Sequence, residues 1–461
     1  MKKFYPVPPS PEVTTYLRNE YRKKWEKLGF SFKQFLVARG YQNPAHDIHG
    51  MDDHFVGVVH NGEIDLLSIP QKPVTGNLQV MVLLVDFPDL QGSLPKEHYE
   101  DLLFSQNSYP TGSMADYYNE VSRGKVHVQG EVHGWLRMPQ DYTYYTNGIS
   151  GIKGNTYPRD ARGLAEDAVE AALAQGVSFS PQLDIFGNGT VTALFIVHAG
   201  RGAEKLLPPL RDNHIWSHKW NMKNPKKVGS ELFATTYLMV PQEALLGVCA
   251  HELGHLAFQW QDFYDSNYDE DGDYWDGNGM WDLMASGSYA GREMRPVHPA
   301  GLHKSQHGWI EVEKINKTST NIILEPVTRP GGKILKIKSS RYEDHQYLIL
   351  ENRAKEKFES DLPGEGLLVW RVDEKAEQEG SSKPGMLLIQ ADGNEDLRNP
   401  KDGNSGDAGD PFPGTSNTIS LSDTGGISTS FPNSSPSGVV LKNISYDQET
   451  KNIQLDVIIE A

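Results

Sequence analysis

Cysteine is almost missing from this chain: Cys249 is the single one in 461 residues, so no internal disulfide can form. That lack excludes the disulfide-stapled class of small secreted scaffolds, and Cys249 itself reads as a small buried hydrophobe. Long apolar runs are missing too. No stretch approaches 18 uninterrupted apolar residues, and no membrane span is expected. The opening MKKFYPVPPSPEV carries two lysines with no apolar region behind them and does not read as a signal peptide. Positive charge is in deficit, with Lys+Arg 44 against Asp+Glu 61 and a formal net charge of −17. Such a balance repels nucleic acid and anionic membrane, and suits bound cations.

What the chain does have is enough apolar material, 38% hydrophobic and 10% aromatic, to build more than one core. Three regions are expected. Residues 1–75 form an amino-terminal segment, with Thr14 to Leu28 charged and helical, followed by a turn-rich stretch holding His46, Asp47, His49 and His54. A latency segment that blocks a metal site is one reading of it, and a solvated structural arm is the other. Residues 76–310 alternate strands and helices. LQVMVLLVDF from Leu78 reads as a buried strand, SMADYYNEV as a short helix, KVHVQGEVHGWLR as paired strands, Pro158 to Gln175 as an alanine-rich helix, and Thr190 to Ala199 as a second buried strand. Residues 311–461 read as β-rich, with strands near 321–325, 333–337, 346–352 and 366–372, a Gly/Asn/Asp/Ser/Pro-rich stretch over 391–438, and a closing hairpin from Val439 to Ile459. The fold class expected is thus α/β (α+β), followed by a β-rich carboxy-terminal domain.

The chain is organised around His251-Glu252-Leu253-Gly254-His255. Pro241, Glu243 and the apolar spacing of Leu245, Leu246, Val248, Leu253, Leu256 and Ala257 predict a helix from about 241 to 259. On it the i,i+4 histidines stack on one face, where two neutral imidazoles can hold one zinc ion. Glu252 then falls beside the open coordination position, as a base for a water whose pKa the metal draws down. Chance produces this motif in roughly one protein of such histidine content in twenty or thirty, so its surroundings carry weight. They are carboxylate-rich: Asp262, Asp265, Asp269, Glu270, Asp271, Asp273, Asp276 and Asp282 follow within 27 residues of His255. One of them is the natural third zinc donor. Asp269, Asp271 and Asp273, and farther on Asp392, Asp396, Asp402, Asp407 and Asp410, are candidates for Ca2+, with a solvated acidic loop as the alternative. His303 and His307 are also i,i+4 but lack a glutamate between them and read as structural.

HELGH, the following Asp-Phe-Tyr-Asp and the WDLMASGSY stretch at 281–289 together resemble the immune inhibitor A-like family of zinc metallopeptidases. VLLVDFPD at 82–89, ADYYNEVSRGKVHVQG at 115–130, LFIVHAGRG at 194–202, IWSHKW at 215–220, LENRAKEKFESDLPGEGLLVWRVDE at 350–374 and QADGNEDLRNPKDGNSGDAGDPFPG at 390–414 agree in order, so the resemblance runs over roughly residues 78–450. It implies a metzincin-like domain with His251 and His255 as Zn2+ ligands, Glu252 as general base and Met284 as the methionine of a turn beneath the metal. The family pattern HExxHxxGxxD is broken here, since Phe258 stands at the glycine and Gln261 at the aspartate. One extra residue would realign Asp262 as third ligand, with Asp265 in reserve. Tyr289 is expected to pack in the core, an oxyanion contact being the alternative. The activity implied is zinc-dependent endopeptidase action on protein or peptide substrates, by a secreted and monomeric protein. The rival reading is an inactive zinc- or calcium-binding recognition protein derived from a peptidase, and the rival location is cytoplasmic.

Overall fold

The computed structural model describes residues 7–40, 50–53, 55–68, 73–152, 156–264, 276–376, 385–399, 402–431 and 436–460. His46, Asp47, His49, His54, Asp265, Asp269, Glu270, Asp271 and Asp273 lie outside the described residues.

The described residues of the amino-terminal segment pack against the rest of the chain. Helix α1 (Pro11–Glu20) is capped by Ser10, whose side chain accepts from the Val13 N–H, with Pro11 at its first position. It runs on through single turns to Leu28, and α2 (Phe32–Ala38) follows behind a Ser31/Gln34 capping box. Strands β1 (Phe55–His60) and β2 (Glu63–Ser68) form a hairpin.

Strand β3 (Gly76–Asp86) carries the apolar run seen in the sequence and pairs in parallel along both of its edges. After α3 (Lys96–Phe104) and α4 (Met114–Val121), β4 (Val126–Arg137) pairs with it in parallel. The alternating KVHVQGEVHGWLR stretch is therefore one long strand rather than a pair: its neighbour is β3, reached through a helical crossover, and no turn interrupts it. Beyond α5 (Tyr142–Thr146) and α6 (Ala161–Ala174), β5 (Leu194–His198) pairs with β3 on the other side. Strands β6 (His218–Lys227) and β7 (Phe233–Pro241) complete the order β4-β3-β5-β7-β6, in which only the edge strand β6 is antiparallel. β3 is covered on both faces, which explains its unbroken apolar sequence.

Helix α7 (Leu246–Phe258) follows, shorter at its start than its sequence predicts. Pro241 is the last residue of β7, opposite His198, because its strand pairing fixes it before the helix begins. All thirteen residues of α7 are buried. A helix apolar all round belongs in a core, and His251, Glu252 and His255 are taken inside with it.

Past α8 (Gly301–Gln306) come β8 (Glu311–Ile315), β9 (Ser319–Leu324), β10 (Lys333–Ile337), β11 (Gln346–Arg353), β12 (Gly366–Asp373), β13 (Met386–Leu388), β14 (Val439–Tyr446) and β15 (Ile453–Ile459). They make a five-stranded sheet, β13-β12-β11-β10-β8, and a three-stranded one, β14-β15-β9. Strand alternation splits the large sheet between two cores. Leu348, Leu350, Leu367 and Val369 face the small sheet. Tyr347, Ile349, Leu368 and Trp370 face Phe263, Trp281, Val297 and Leu302 of the preceding region. The β-rich half is thereby packed directly on the loops that follow α7. Arg353, fully buried, pins that contact: it pairs with Glu351 at 3.2 Å and Glu359 at 2.5 Å and donates to the Trp281 and His298 carbonyls.

Candidate metal centre

On α7 the His251 and His255 Nε2 atoms lie 3.2 Å apart. Each ring is fixed from behind: His251 Nδ1 is 2.8 Å from the Leu283 carbonyl and His255 Nδ1 2.7 Å from the Trp260 carbonyl. A carbonyl only accepts, so both Nδ1 atoms carry the proton and both Nε2 atoms present lone pairs. Burial lowers the His255 pKa, against the pull of Asp262, and keeps the ring neutral.

The third donor arrives through the end of the helix. Phe258 is still helical, and Gln259 takes the left-handed conformation (φ 56°, ψ 32°) that ends the helix, its N–H returning to the Gly254 and His255 carbonyls. The reversal thus comes one residue later than a glycine at 258 would set it. Asp262, not Gln261, swings back to the histidines, and its Oδ1 lies 3.2 Å from each Nε2. Three acceptor atoms thus face one another at 3.2 Å. Around a tetrahedral ion with bonds of about 2.0–2.1 Å, neighbouring ligands stand roughly 3.3 Å apart, so the spacing of these three atoms fits a zinc-sized cation.

Glu252 is buried, and neither of its carboxylate oxygens has a hydrogen-bond partner among the described residues. Burial pushes its pKa well up, and the Asp52 and Asp262 carboxylates push it further. A nearby divalent cation would reverse that cost. Beneath the site, Met284 passes under the helix so closely that a Cβ at Gly254 would stand 2.8 Å from its Sδ. A Cβ at Gly247 would likewise sit 1.7 Å from the Ser288 carbonyl, so these two glycines let the 282–289 turn lie against α7. The turn is held by Asp282, which accepts from the Met284 and Ala300 N–H groups, and by the Phe263 N–H donated to the Met284 carbonyl.

Other residues singled out by sequence fall elsewhere. Tyr289 is buried, and its hydroxyl donates at 2.6 Å to the carbonyl of Pro8 in the amino-terminal segment. His303 and His307 sit in an aromatic cluster with Trp260, where His307 Nε2 accepts from the indole N–H. Asp392, Asp396 and Asp407 converge within 4.8 Å of one another, half-buried, whereas Asp410 is used to hold the Trp281 indole and the Gln390 amide. Asp402 is exposed and outside that convergence. Cys249 is buried and its thiol pKa is raised by that burial, which makes it unreactive. An open groove of about 790 Å³, lined by Glu120, Arg123, Arg329, Lys357 and Phe358 among others, is remote from the metal cluster and contains none of its residues.

Sequence reasoning missed Asp52. It lies among turn formers, with nothing in its neighbours to separate it from His46 or Asp47, yet it is fully buried with ligand atoms of Glu252 and His255 within 4.8 Å. Lys219 was passed over within IWSHKW; it too is fully buried.

A family model for the immune inhibitor A peptidase M6 catalytic domain matches residues 74–315. The chain is 30% identical over 316 residues to Immune inhibitor A of Bacillus thuringiensis subsp. alesti, an alignment covering 56% of this chain and 45% of that protein. It is 30% identical over 279 residues to the Pre-pro-metalloprotease PrtV of Vibrio cholerae serotype O1 (strain M66-2), covering 50% of this chain and 29% of that one. The chain thus spans less than half the length of these relatives. No helix among the described residues is long and apolar enough to cross a membrane.

Proposed function

Because the chain belongs to the immune inhibitor A peptidase family, we propose that it is a zinc-dependent endopeptidase acting on protein substrates outside the cell. The observation that carries this reading is the convergence of His251 Nε2, His255 Nε2 and Asp262 Oδ1 near a buried Glu252 whose carboxylate has no hydrogen-bond partner among the described residues. These three side chains are the proposed ligands, and zinc held by them would supply Lewis acidity to the water and to the scissile carbonyl. The chain's own residues do the rest. Glu252 takes the proton of the attacking water on its carboxylate and passes it to the leaving amine nitrogen. The Leu283 and Trp260 carbonyls keep the two imidazoles in the tautomer and orientation that ligation needs. Met284 packs against Gly254 of α7, the residue just before His255. Calcium is the second cation proposed, with Asp392, Asp396 and Asp407 as its residues.

The test is elemental analysis of the purified chain together with cleavage of casein, before and after chelation and after zinc is restored. One zinc per chain, with chelator-sensitive cleavage that zinc restores, is the expected result. A chain that takes up no zinc would refute the reading. Bound zinc with no cleavage, even after removal of residues 1–75, would favour the rival of an inactive recognition protein.

A further inference from the structure

The buried arginines Arg18, Arg211 and Arg353 each sit beside a carboxylate: Asp276 at 2.5 Å, Asp212 at 2.8 Å, and Glu351 with Glu359. Arg371, in the β-rich half, breaks that pattern. It forms no ion pair among the described residues, and its Nε is buried without a hydrogen-bond partner. Its guanidinium donates through Nη2 to the Ser428 carbonyl, a neutral acceptor that leaves the charge uncompensated.

The place of Arg371 in the sheet explains how it comes to be enclosed. It lies on β12, opposite Leu387 of β13. Leu367 and Val369 face the core shared with the small sheet, and strand alternation sets Arg371 on the same side, at the end of that core. There the packing does not close. A cavity of about 30 Å³ lies among Arg371, Leu388, Gln390, Glu395, Arg398 and Ile427, and ~10–15 Å³ is already enough for one water. Glu395 is exposed and lies 3.8 Å from the Arg398 guanidinium, so two cations and one carboxylate leave the lining with a positive balance.

An arginine stays charged at any pH the fold survives. Burial, helped by Arg398, pulls the Arg371 pKa down, which marks the cost of enclosing that charge. A water in the cavity would accept from Nε and leave the charge unanswered. An anion there answers both, because a charge-assisted hydrogen bond is the stronger kind. The volume admits a single atom little larger than water and shuts out carboxylate, phosphate and sulfate. Gln390 connects the cavity to the contact between the two halves of the chain. Its amide donates to Asp410 Oδ1 and its Oε1 accepts the Leu397 N–H at 3.3 Å, while Asp410 Oδ2 accepts the Trp281 indole N–H at 2.8 Å.

We propose that this cavity is a binding site for one chloride ion, held by the Arg371 guanidinium with Arg398 at its rim, and that the ion braces the 390–398 loop on β12.

The test uses the full chain. Crystals in which sodium bromide replaces chloride should show an anomalous bromide peak within hydrogen-bond distance of the Arg371 guanidinium. In solution, exchanging gluconate, too large for the cavity, for chloride at constant ionic strength should raise the urea midpoint of the wild-type chain. At a chloride concentration ten times the dissociation constant, its unfolding equilibrium constant should fall about tenfold. Arg371→Met should show no such response. Chloride taken up elsewhere, a metal included, would act on both chains alike, so the difference between them reads the Arg371 site. Arg371→Gln, which keeps a donor for the Ser428 carbonyl but no charge, covers the case in which the methionine variant does not fold. Equal chloride responses in wild type and variant would overturn the proposal, and so would a bromide map with no peak at Arg371. A peak without any solution response would mean binding at crystal concentration only, and would overturn it as well.

Discussion

Replacing Glu252 by glutamine should move activity and stability in opposite directions. The carboxylate sits in the core of α7, fully buried, with both oxygens unpartnered and its pKa pushed well up by burial and by Asp52 and Asp262. As general base it is worth roughly 100- to 10,000-fold in turnover, or about 3–5 kcal/mol of barrier at ~1.4 kcal/mol per decade. In the metal-free chain the same carboxylate is a burden. A buried polar group left unpaired costs about 1–3 kcal/mol, more when charged, so metal-free Glu252→Gln should be about 1–3 kcal/mol more stable than wild type at pH 8. The sign follows from linkage. An acid whose folded pKa is raised leaves stability intact below its unfolded value near 4.5 and loses it as pH rises through the folded value. The stability difference should therefore shrink towards zero by pH 4. Urea denaturation of both chains with chelator, at pH 4 and pH 8, measures this, and peptide hydrolysis in the zinc form measures the rate. Turnover within tenfold of the parent would remove Glu252 from the chemistry. A metal-free variant less stable than wild type at pH 8 would show that the carboxylate has a partner after all.

Three further outcomes follow from the same geometry. His251→Ala should lose zinc and peptide cleavage together; stoichiometric zinc in the purified variant, by elemental analysis, would contradict its place in the donor set. Arg353→Met should lower stability by about 3–5 kcal/mol, because it strands the buried Glu351 and Glu359 carboxylates and frees the Trp281 and His298 carbonyls; an unchanged urea midpoint would argue against a shared core between the two halves. Lys304 is fully buried and its pKa is lowered to about 8 by that burial. A base with a depressed folded pKa makes stability rise with pH between its folded and unfolded values, so wild type should gain about 3 kcal/mol between pH 8 and 10.5 relative to Lys304→Met; parallel pH profiles for the two chains would refute that.

Much of the site was legible because its grammar is local. Two histidines four residues apart share a helix face whatever the helix packs against, and a glutamate between them falls beside the ion they hold. The approach of Asp262, rather than Gln261, to the two histidines could be counted from the broken family pattern, although the reason, Gln259 turning left-handed one residue late, appears only in the backbone. The continuous apolar run of β3 announced a strand buried on both faces. The reading of Val126 to Arg137 as a pair of strands failed because alternation marks a strand but does not say who its neighbour is.

The sequence by itself determined the α/β pattern, the β-rich half and the histidine–glutamate–histidine centre, since each depends on periodicity or on spacing within a few residues. Only the tertiary structure decided what faces that centre. Asp52 and Lys219 meet across 167 residues of chain, and nothing local to either one announces the contact. That contact is a property of the folded path, which brings a turn of the amino-terminal segment against the edge strand β6 and sets Asp52 beside Glu252 and His255.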